Sequence, residues 1–311
     1  LCRLINKKNF TVYKIPNQDL NSGSDINVDL DAEETCRILS SEQEVPDWLI
    51  VDHYSLGEKW ERRQRPHVKK IMVIDDLADR SHDCDLLLDQ NLYENMENRY
   101  NGLVPDHCIK FLGPRYAFLR SEFFLARQGL RLREGQVKKI LVFFGGTDPG
   151  NQTVKTLEAL RLLNSSEISV DVVVGQTNPY RAQVKKICSD VPNFYFFCQV
   201  QNMAQLMVNA DLAIGAGGVA VWERCYLGLP ALILVVAQNQ SAVASAVAGA
   251  GAARNLGWSA GIRVEELSEA IKWAIDNPDE IKRMSKKALD LMGGSISETN
   301  DSIIQALMAG E

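Results

Sequence analysis

Short apolar runs alternate along this chain with longer segments whose apolar residues recur at helical spacing. The runs are WLIVDHY (48–54), KKIMVIDD (69–76), DCDLLLDQN (83–91), KKILVFFGG (138–146), SVDVVVG (169–175), NFYFFCQ (193–199), ADLAIGAGG (210–218) and ALILVVAQNQ (231–240). Their Val, Ile and Leu residues are continuous rather than alternating with polar ones, the pattern of strands in a parallel sheet covered on both faces. Residues 153–163, 178–190, 203–210 and 219–229 between them read as helices, as does the aromatic segment 115–124. The stretch 266–294 reads as two amphipathic helices separated by Asn277-Pro278. Strand and helix in alternation, with short connections, predict a doubly wound α/β protein.

A length of 311 residues exceeds what one core usually serves, so two domains are expected. The polar, arginine-rich stretch RQGLRLREGQV (127–137) marks a boundary, giving domains 1–130 and 131–311. The second is a complete unit. The first lacks an opening strand and helix, and the chain starts in LCRLINKKNFTVYKIP, without an initiator Met. A truncated start is therefore expected. The net charge of −6 argues against wide contact with nucleic acid or an acidic membrane surface. The longest apolar run, 229–237, is too short for a membrane span, which needs about 18 residues or more. Seven cysteines without a C-x-x-C pair fit the reduced thiols of a cytoplasmic protein.

The strongest chemical signal is a pair of glycine-rich strand ends in the second half. Gly145-Gly146-Thr147-Asp148 follows ILVFF, and Gly215, Gly217 and Gly218 follow DLAI. Glycine lets backbone N–H groups approach an anion closely, and ligands of open α/β sheets bind at the carboxyl ends of strands. A pyrophosphate ligand is the natural reading, against the plainer one of tight turns. No Walker pattern is present, since no Gly-Lys-Ser/Thr follows. Glu223, in the helix after the second loop, is placed to accept both hydroxyls of a ribose, or else is an ordinary helix residue paired with Arg224. Gln238-Asn239-Gln240 ends a buried strand with amides that suit sugar hydroxyls, or simply a turn. In the first half, Asp52-His53-Tyr54 reads either as an acid–base cluster, with Tyr54 its most promising member, or as a helix cap at Asp52 with His53 packed beside it. Asp75 and Asp76 read as capping or turn residues in preference to a paired-carboxylate site. Asn91, His82 and Asp83 carry less weight, and His67 and His107 read as surface residues. No G-x-S-x-G elbow and no zinc spacing of the H-E-x-x-H kind occurs, so no metal is expected.

Five strings together carry a family resemblance: VIDDLADRSHDCDLLLDQN (73–91), GLVPDHC…FLGPRYAFLRSEF (102–123), FFGGTDPGN (143–151), GAGGVAVWERCYLGLP (215–230) and AQNQ (237–240). In this order they resemble the UDP-2,4-diacetamido-2,4,6-trideoxy-β-L-altropyranose hydrolases of pseudaminic acid synthesis. The resemblance implies a GT-B fold, two Rossmann-like domains facing a cleft, and a monomer that uses no metal and no cofactor. It implies a UDP-sugar as the substrate, with water added at the anomeric carbon and UDP released. It places uracil near Val200 and Met203, ribose at Glu223, the phosphates at Gly145, Gly146, Gly217 and Gly218, and Tyr54 and Asn239 toward the reacting sugar. Two departures stand out. The family's opening G-x-G-H-x-x-R loop, with its catalytic His, has no counterpart here, and none of the four histidines replaces it. Val219-Ala220 also stands where hydroxyl residues are frequent. A glycosyltransferase on the same fold and a non-catalytic nucleotide-sugar-binding protein remain alternatives.

Overall fold

The computed structural model describes residues 2–6, 8–15, 27–293 and 296–308. By its internal contacts the chain forms two compact units. The first comprises Leu1–Gln90, Asn95–Leu112 and Asp301–Glu311, and the second Asn91–Glu94 and Gly113–Asn300.

The first unit contains α1 (Cys2–Asn6), α2 (Val28–Ser41), β1 (Trp48–Asp52), α3 (Glu58–Gln64), β2 (Lys70–Ile74), β3 (Leu86–Asp89) and β4 (Ile109–Leu112). Its four strands are parallel and run in the order β1-β2-β3-β4. Val51, Ile71, Val73 and Leu87 form one apolar cluster with Ala32 of α2 and Trp60 of α3. Trp60 also donates its indole N–H to Asp31 Oδ1 at 2.9 Å, which ties α3 to α2.

The second unit contains α4 (Ser121–Gln128), β5 (Lys139–Phe143), α5 (Gln152–Leu163), β6 (Ser169–Val174), α6 (Arg181–Asp190), β7 (Phe194–Cys198), α7 (Met203–Asn209) and β8 (Leu212–Ala216). It continues through α8 (Ala220–Tyr226), β9 (Ala231–Val235), α9 (Ser241–Gly249), β10 (Ala253–Trp258), α10 (Val264–Asp276) and α11 (Pro278–Leu291). The last helix, α12, spans Ile296–Met308. Six parallel strands run in the order β10-β9-β8-β5-β6-β7.

Successive strand residues point to opposite faces of this sheet. Ile140, Val142, Val170, Val172, Leu212, Ile214, Leu232 and Leu234 pack with helices α5, α6 and α10. Leu141, Val173, Ala213, Ile233 and Val235 pack on the other face with α7, α8 and α9. Continuous apolar strands are what two covered faces require, and the result is a pair of parallel-sheet α/β units with a GT-B-like fold. Among the described residues no helix is long and apolar enough to cross a membrane.

All eight expected strands are present. Two more, β4 and β10, have polar or short sequences, IKFL and ARNLGW, and lie at sheet edges where fewer apolar residues are needed. The aromatic segment 115–124 is helical only in part: one short turn spans Pro114–Tyr116, and α4 begins at Ser121.

One boundary between the units falls at Leu112/Gly113, ahead of the arginines of 127–137. Those arginines are bound into the second unit. Arg131 pairs with Asp211 at 2.6 Å. Arg133 is 4% exposed, and its guanidinium donates to the carbonyls of Met207 (2.7 Å), Ala210 (2.9 Å), Leu227 (2.6 Å) and Gly228 (2.9 Å). It thus closes the carboxyl ends of α7 and α8, whose last carbonyls have no partner within their own helix. Burial pushes this guanidinium down to about 10, and four accepting carbonyls offset that cost. Replacing it removes a donor from each, although the Gly228 carbonyl keeps another, the Ser285 hydroxyl at 2.6 Å. Arg133→Ala is expected to destabilise the second unit by roughly 3 kcal/mol in urea unfolding, against less than about 0.5 kcal/mol for an exposed Arg161→Ala control.

Candidate functional site

The sheet of the second unit changes direction between β5 and β8. From β5 the chain proceeds outward through β6 and β7, and from β8 it proceeds the other way through β9 and β10. Such a switch point leaves a crevice beyond the carboxyl ends of the two central strands. Both glycine-rich loops follow these two strands.

After β5 the backbone turns at Gly145, with φ +92°, a conformation L side chains rarely adopt. Gly146 then runs against Gly175 at the end of β6. The Gly175 N–H donates to the Gly146 carbonyl at 3.1 Å, and a Cβ on Gly175 would lie 2.3 Å from that oxygen. Asp148, buried and at φ +41°, accepts from the Gln152 and Thr153 N–H groups at 2.9 and 2.8 Å and from the Thr153 hydroxyl at 2.7 Å. The Gln152 and Thr153 N–H groups at the start of α5 are therefore taken by a side chain of the chain itself. An anion at the first loop would meet the glycine backbone and not those two donors.

After β8, the Gly217 N–H donates to Gln240 Oε1 at 3.2 Å, and the same oxygen accepts from Val236 N–H at 3.3 Å. Gln240 thus joins the loop after β8 to the end of β9. Gly218, Val219 and Ala220 lead into α8, which carries Glu223.

These elements enclose an open cavity of about 440 Å³. Of the residues expected to hold a nucleotide, Gly145, Gly146, Val200, Met203, Gly218 and Glu223 all line it. Phe143, Phe144, Val173 and Val174 complete an apolar floor, and Gln199, at φ +53°, precedes Val200 at its edge. Gly217 lies behind the wall, its N–H directed at Gln240. Asn239 is exposed in the short turn Gln238–Gln240, one residue from the lining Gln240. Tyr54 belongs to the first unit, where it is 55% exposed in the turn after β1.

Arg120 also lines the cavity and was not foreseen. Its guanidinium donates to Glu223 Oε1 at 3.2 Å, pairs with Glu122 at 2.7 Å and lies over the Phe123 ring. Burial raises the Glu223 carboxyl above its ordinary range, and the Arg120 charge opposes that rise. An arginine in RYAFLRSEFF gives no sequence signal, because its target lies about a hundred positions away.

The other candidates of the first unit have structural partners. Asp75 is buried, accepts from Ala78 N–H (2.9 Å) and the Tyr100 hydroxyl (3.0 Å), and pairs with Arg80 at 3.0 Å. Buried His82 meets Glu61 at 2.6 Å, and Glu61 accepts the Asp83 N–H as well. The His53 ring accepts from Ser55 N–H within its own turn. Asn91 belongs to the second unit and accepts the indole N–H of fully buried Trp222 at 3.0 Å. Among the described residues no three His, Cys, Asp or Glu side chains gather so as to hold a metal ion.

The sequence pattern of the glycosyltransferase family 28 C-terminal domain matches residues 140–305, just over half the chain. The chain belongs to this family. It is 34% identical over 146 residues to the spore coat polysaccharide biosynthesis protein SpsG of Bacillus subtilis, covering 47% of this chain and 43% of that one. It is 28% identical over 206 residues to the UDP-2,4-diacetamido-2,4,6-trideoxy-β-L-altropyranose hydrolase of Campylobacter jejuni, covering 65% and 71%. The chain spans about two fifths of the length of the first curated relatives it matches. Among solved structures, MurG of Acinetobacter baumannii superimposes with a TM-score of 0.64 at 16% identity, covering 98% of this chain and 87% of that one. At that identity the likeness speaks for the fold alone.

Two glycines separate fold from site. Gly175→Ala forces its Cβ against the Gly146 carbonyl and is expected to destabilise by roughly 1–3 kcal/mol in urea unfolding. A Cβ on Gly146 meets nothing within 4 Å and extends into the cavity. Gly146→Ala should therefore leave stability within about 0.5 kcal/mol while weakening any ligand that rests on this backbone, as titration calorimetry would read.

Proposed function

We propose that this chain binds a UDP-sugar through its second unit and hydrolyses it, releasing UDP and 2,4-diacetamido-2,4,6-trideoxy-L-altrose. The observation that carries the reading is the single cavity at the β5/β8 switch point, which collects Gly145, Gly146, Val200, Met203, Gly218 and Glu223. The apolar lining of Val173, Val200 and Met203 suits the face of a pyrimidine. The Glu223 carboxylate suits two ribose hydroxyls, which both donate. The glycine backbones of the loops after β5 and β8 suit a diphosphate. The Campylobacter jejuni relative, named for this hydrolysis, supports the choice of sugar.

In the reaction a water oxygen bonds to the anomeric carbon while the bond from that carbon to the β-phosphate oxygen breaks. UDP leaves with the electron pair, and the water gives up a proton. Charge develops on the diphosphate, so donors fixed around it lower the barrier. Tyr54 and Asn239 are proposed as the polar groups that face the sugar.

A second reading has its own support. The family is one of glycosyltransferases, and a transferase would place an acceptor hydroxyl where the hydrolase places water. Incubation with the UDP-diacetamido sugar, followed by NMR, tells them apart. UDP with free sugar, in the absence of any acceptor, is the expected result. Sugar transferred only when an acceptor is supplied would establish the alternative. UDP bound without turnover under either condition would reduce the chain to a nucleotide-sugar-binding protein.

Glu223 supplies a pH test. Its carboxyl titrates above the ordinary range, and only the ionised form accepts from both hydroxyls. UDP affinity is therefore expected to fall as pH drops through that raised pKa. Glu223→Gln should bind about tenfold more weakly at neutral pH and lose the pH dependence.

A further inference from the structure

Beneath the loop after β8 lies a charge that the hydrolytic scheme leaves unused. Arg224 stands on α8, one residue after Glu223, and is 2% exposed. Its Nη2 donates to the Ala216 carbonyl at 2.7 Å. Its Nη1 presses on Gly215, where a Cβ would meet it at 2.8 Å. The guanidinium is thus laid under the last two residues of β8, and Ala216, Gly218 and Ala220 above it line the cavity.

No carboxylate among the described residues lies within ion-pairing distance of this cation, and Glu223 acts on it only from further away. Its Nε is buried without a hydrogen-bond partner. The adjacent Glu223 turns its carboxylate to Arg120, which also holds Glu122. A guanidinium removed from water with one accepting carbonyl and no paired anion is costly, and burial pushes it down to about 10. An apolar side chain of similar volume would fill the same space without that cost, so packing does not account for an arginine here.

We propose that the counter-ion of Arg224 is the ligand: from beneath the β8 loop it supplies the positive charge that favours a nucleoside diphosphate over the bare nucleoside. The proposal rests on reading the cavity as a nucleotide site. Its physical basis is that a charge in a low-dielectric wall acts through one layer of backbone with little screening, whereas an exposed lysine at the same distance would be screened by water. The arginine never needs to touch the phosphates. It polarises and holds the backbone that does.

Calorimetric titration of the intact chain with UDP, UMP and uridine tests this, using wild type, Arg224→Met and Arg224→Lys. The methionine variant is expected to lose at least about tenfold in UDP affinity while uridine changes by less than about twofold, with UMP between them. The lysine variant, which keeps the charge, should recover part of the UDP loss. Unchanged UDP affinity in the methionine variant overturns the proposal. Equal weakening of UDP and uridine also overturns it, because Arg224 would then only shape the pocket. Thermal melting reports whether each variant folds, and if methionine does not, Arg224→Gln set against Arg224→Lys carries the same comparison. Wild type that binds neither UDP nor uridine would refute the reading of the cavity itself, a result distinct from any outcome specific to Arg224.

Discussion

The candidate site depends on how closely the backbones at the ends of β5, β6 and β8 approach one another. A Cβ at Gly175 would sit 2.3 Å from the Gly146 carbonyl, and one at Gly215 would sit 2.3 Å from the Phe143 carbonyl. No side chain fits between strands held this close. The glycines therefore have a structural reason that comes before any ligand, and the crevice is a consequence of it. Where glycines follow the strands the cavity wall is backbone, and side chains enter it from the ends of β5 and β6, from α7 and α8, and from the segment before α4.

Charge is distributed unevenly around that wall. Arg120, Glu122 and Glu223 form a partly exposed cluster whose members satisfy one another. Arg120 occupies Oε1 of Glu223, so a ligand that engages this carboxylate meets it already held by a guanidinium. Arg224 has no such arrangement. The contrast with Arg133 is instructive, because both are buried and burial lowers both by a similar amount. Arg133 has four carbonyls and serves to close helix ends, whereas Arg224 has one. Both guanidinia are buried, and the one with many accepting carbonyls holds the fold together while the other has a single accepting carbonyl.

The strands and the two glycine loops were legible because apolar continuity and glycine position are local properties. Gly145, Gly146, Gly218 and Glu223 were read as candidates for the same reason, each lying at a strand end or in the helix that follows, whereas Val200 and Met203 came only from the family resemblance; all six line one cavity. What escaped was set by distant partners. Arg127, Arg131 and Arg133 looked like a linker because their acceptors are carbonyls and a carboxylate some seventy-five to a hundred residues further on. Within QNQ, local chemistry does not distinguish Asn239 from Gln240. The fold turns Gln240 into the bridge between the β8 loop and β9. The role of Asp148, which accepts from the Gln152 and Thr153 N–H groups at the start of α5, likewise emerges only in the fold.

The first unit raises a separate question, which is what holds the turn bearing Tyr54. Arg80 answers much of it. Its Nε donates to the Leu56 carbonyl at 2.7 Å and its Nη2 to the His53 carbonyl at 3.1 Å, bracketing Tyr54 on both sides. Its Nη1 pairs with buried Asp75, which the Tyr100 hydroxyl and Ala78 N–H hold in turn. Asp75, the first of the two aspartates after β2, thus acts through a guanidinium on the turn after β1. The backbone on either side of Tyr54 is therefore fixed by this network, whose far end is anchored in the buried Asp75 and Tyr100.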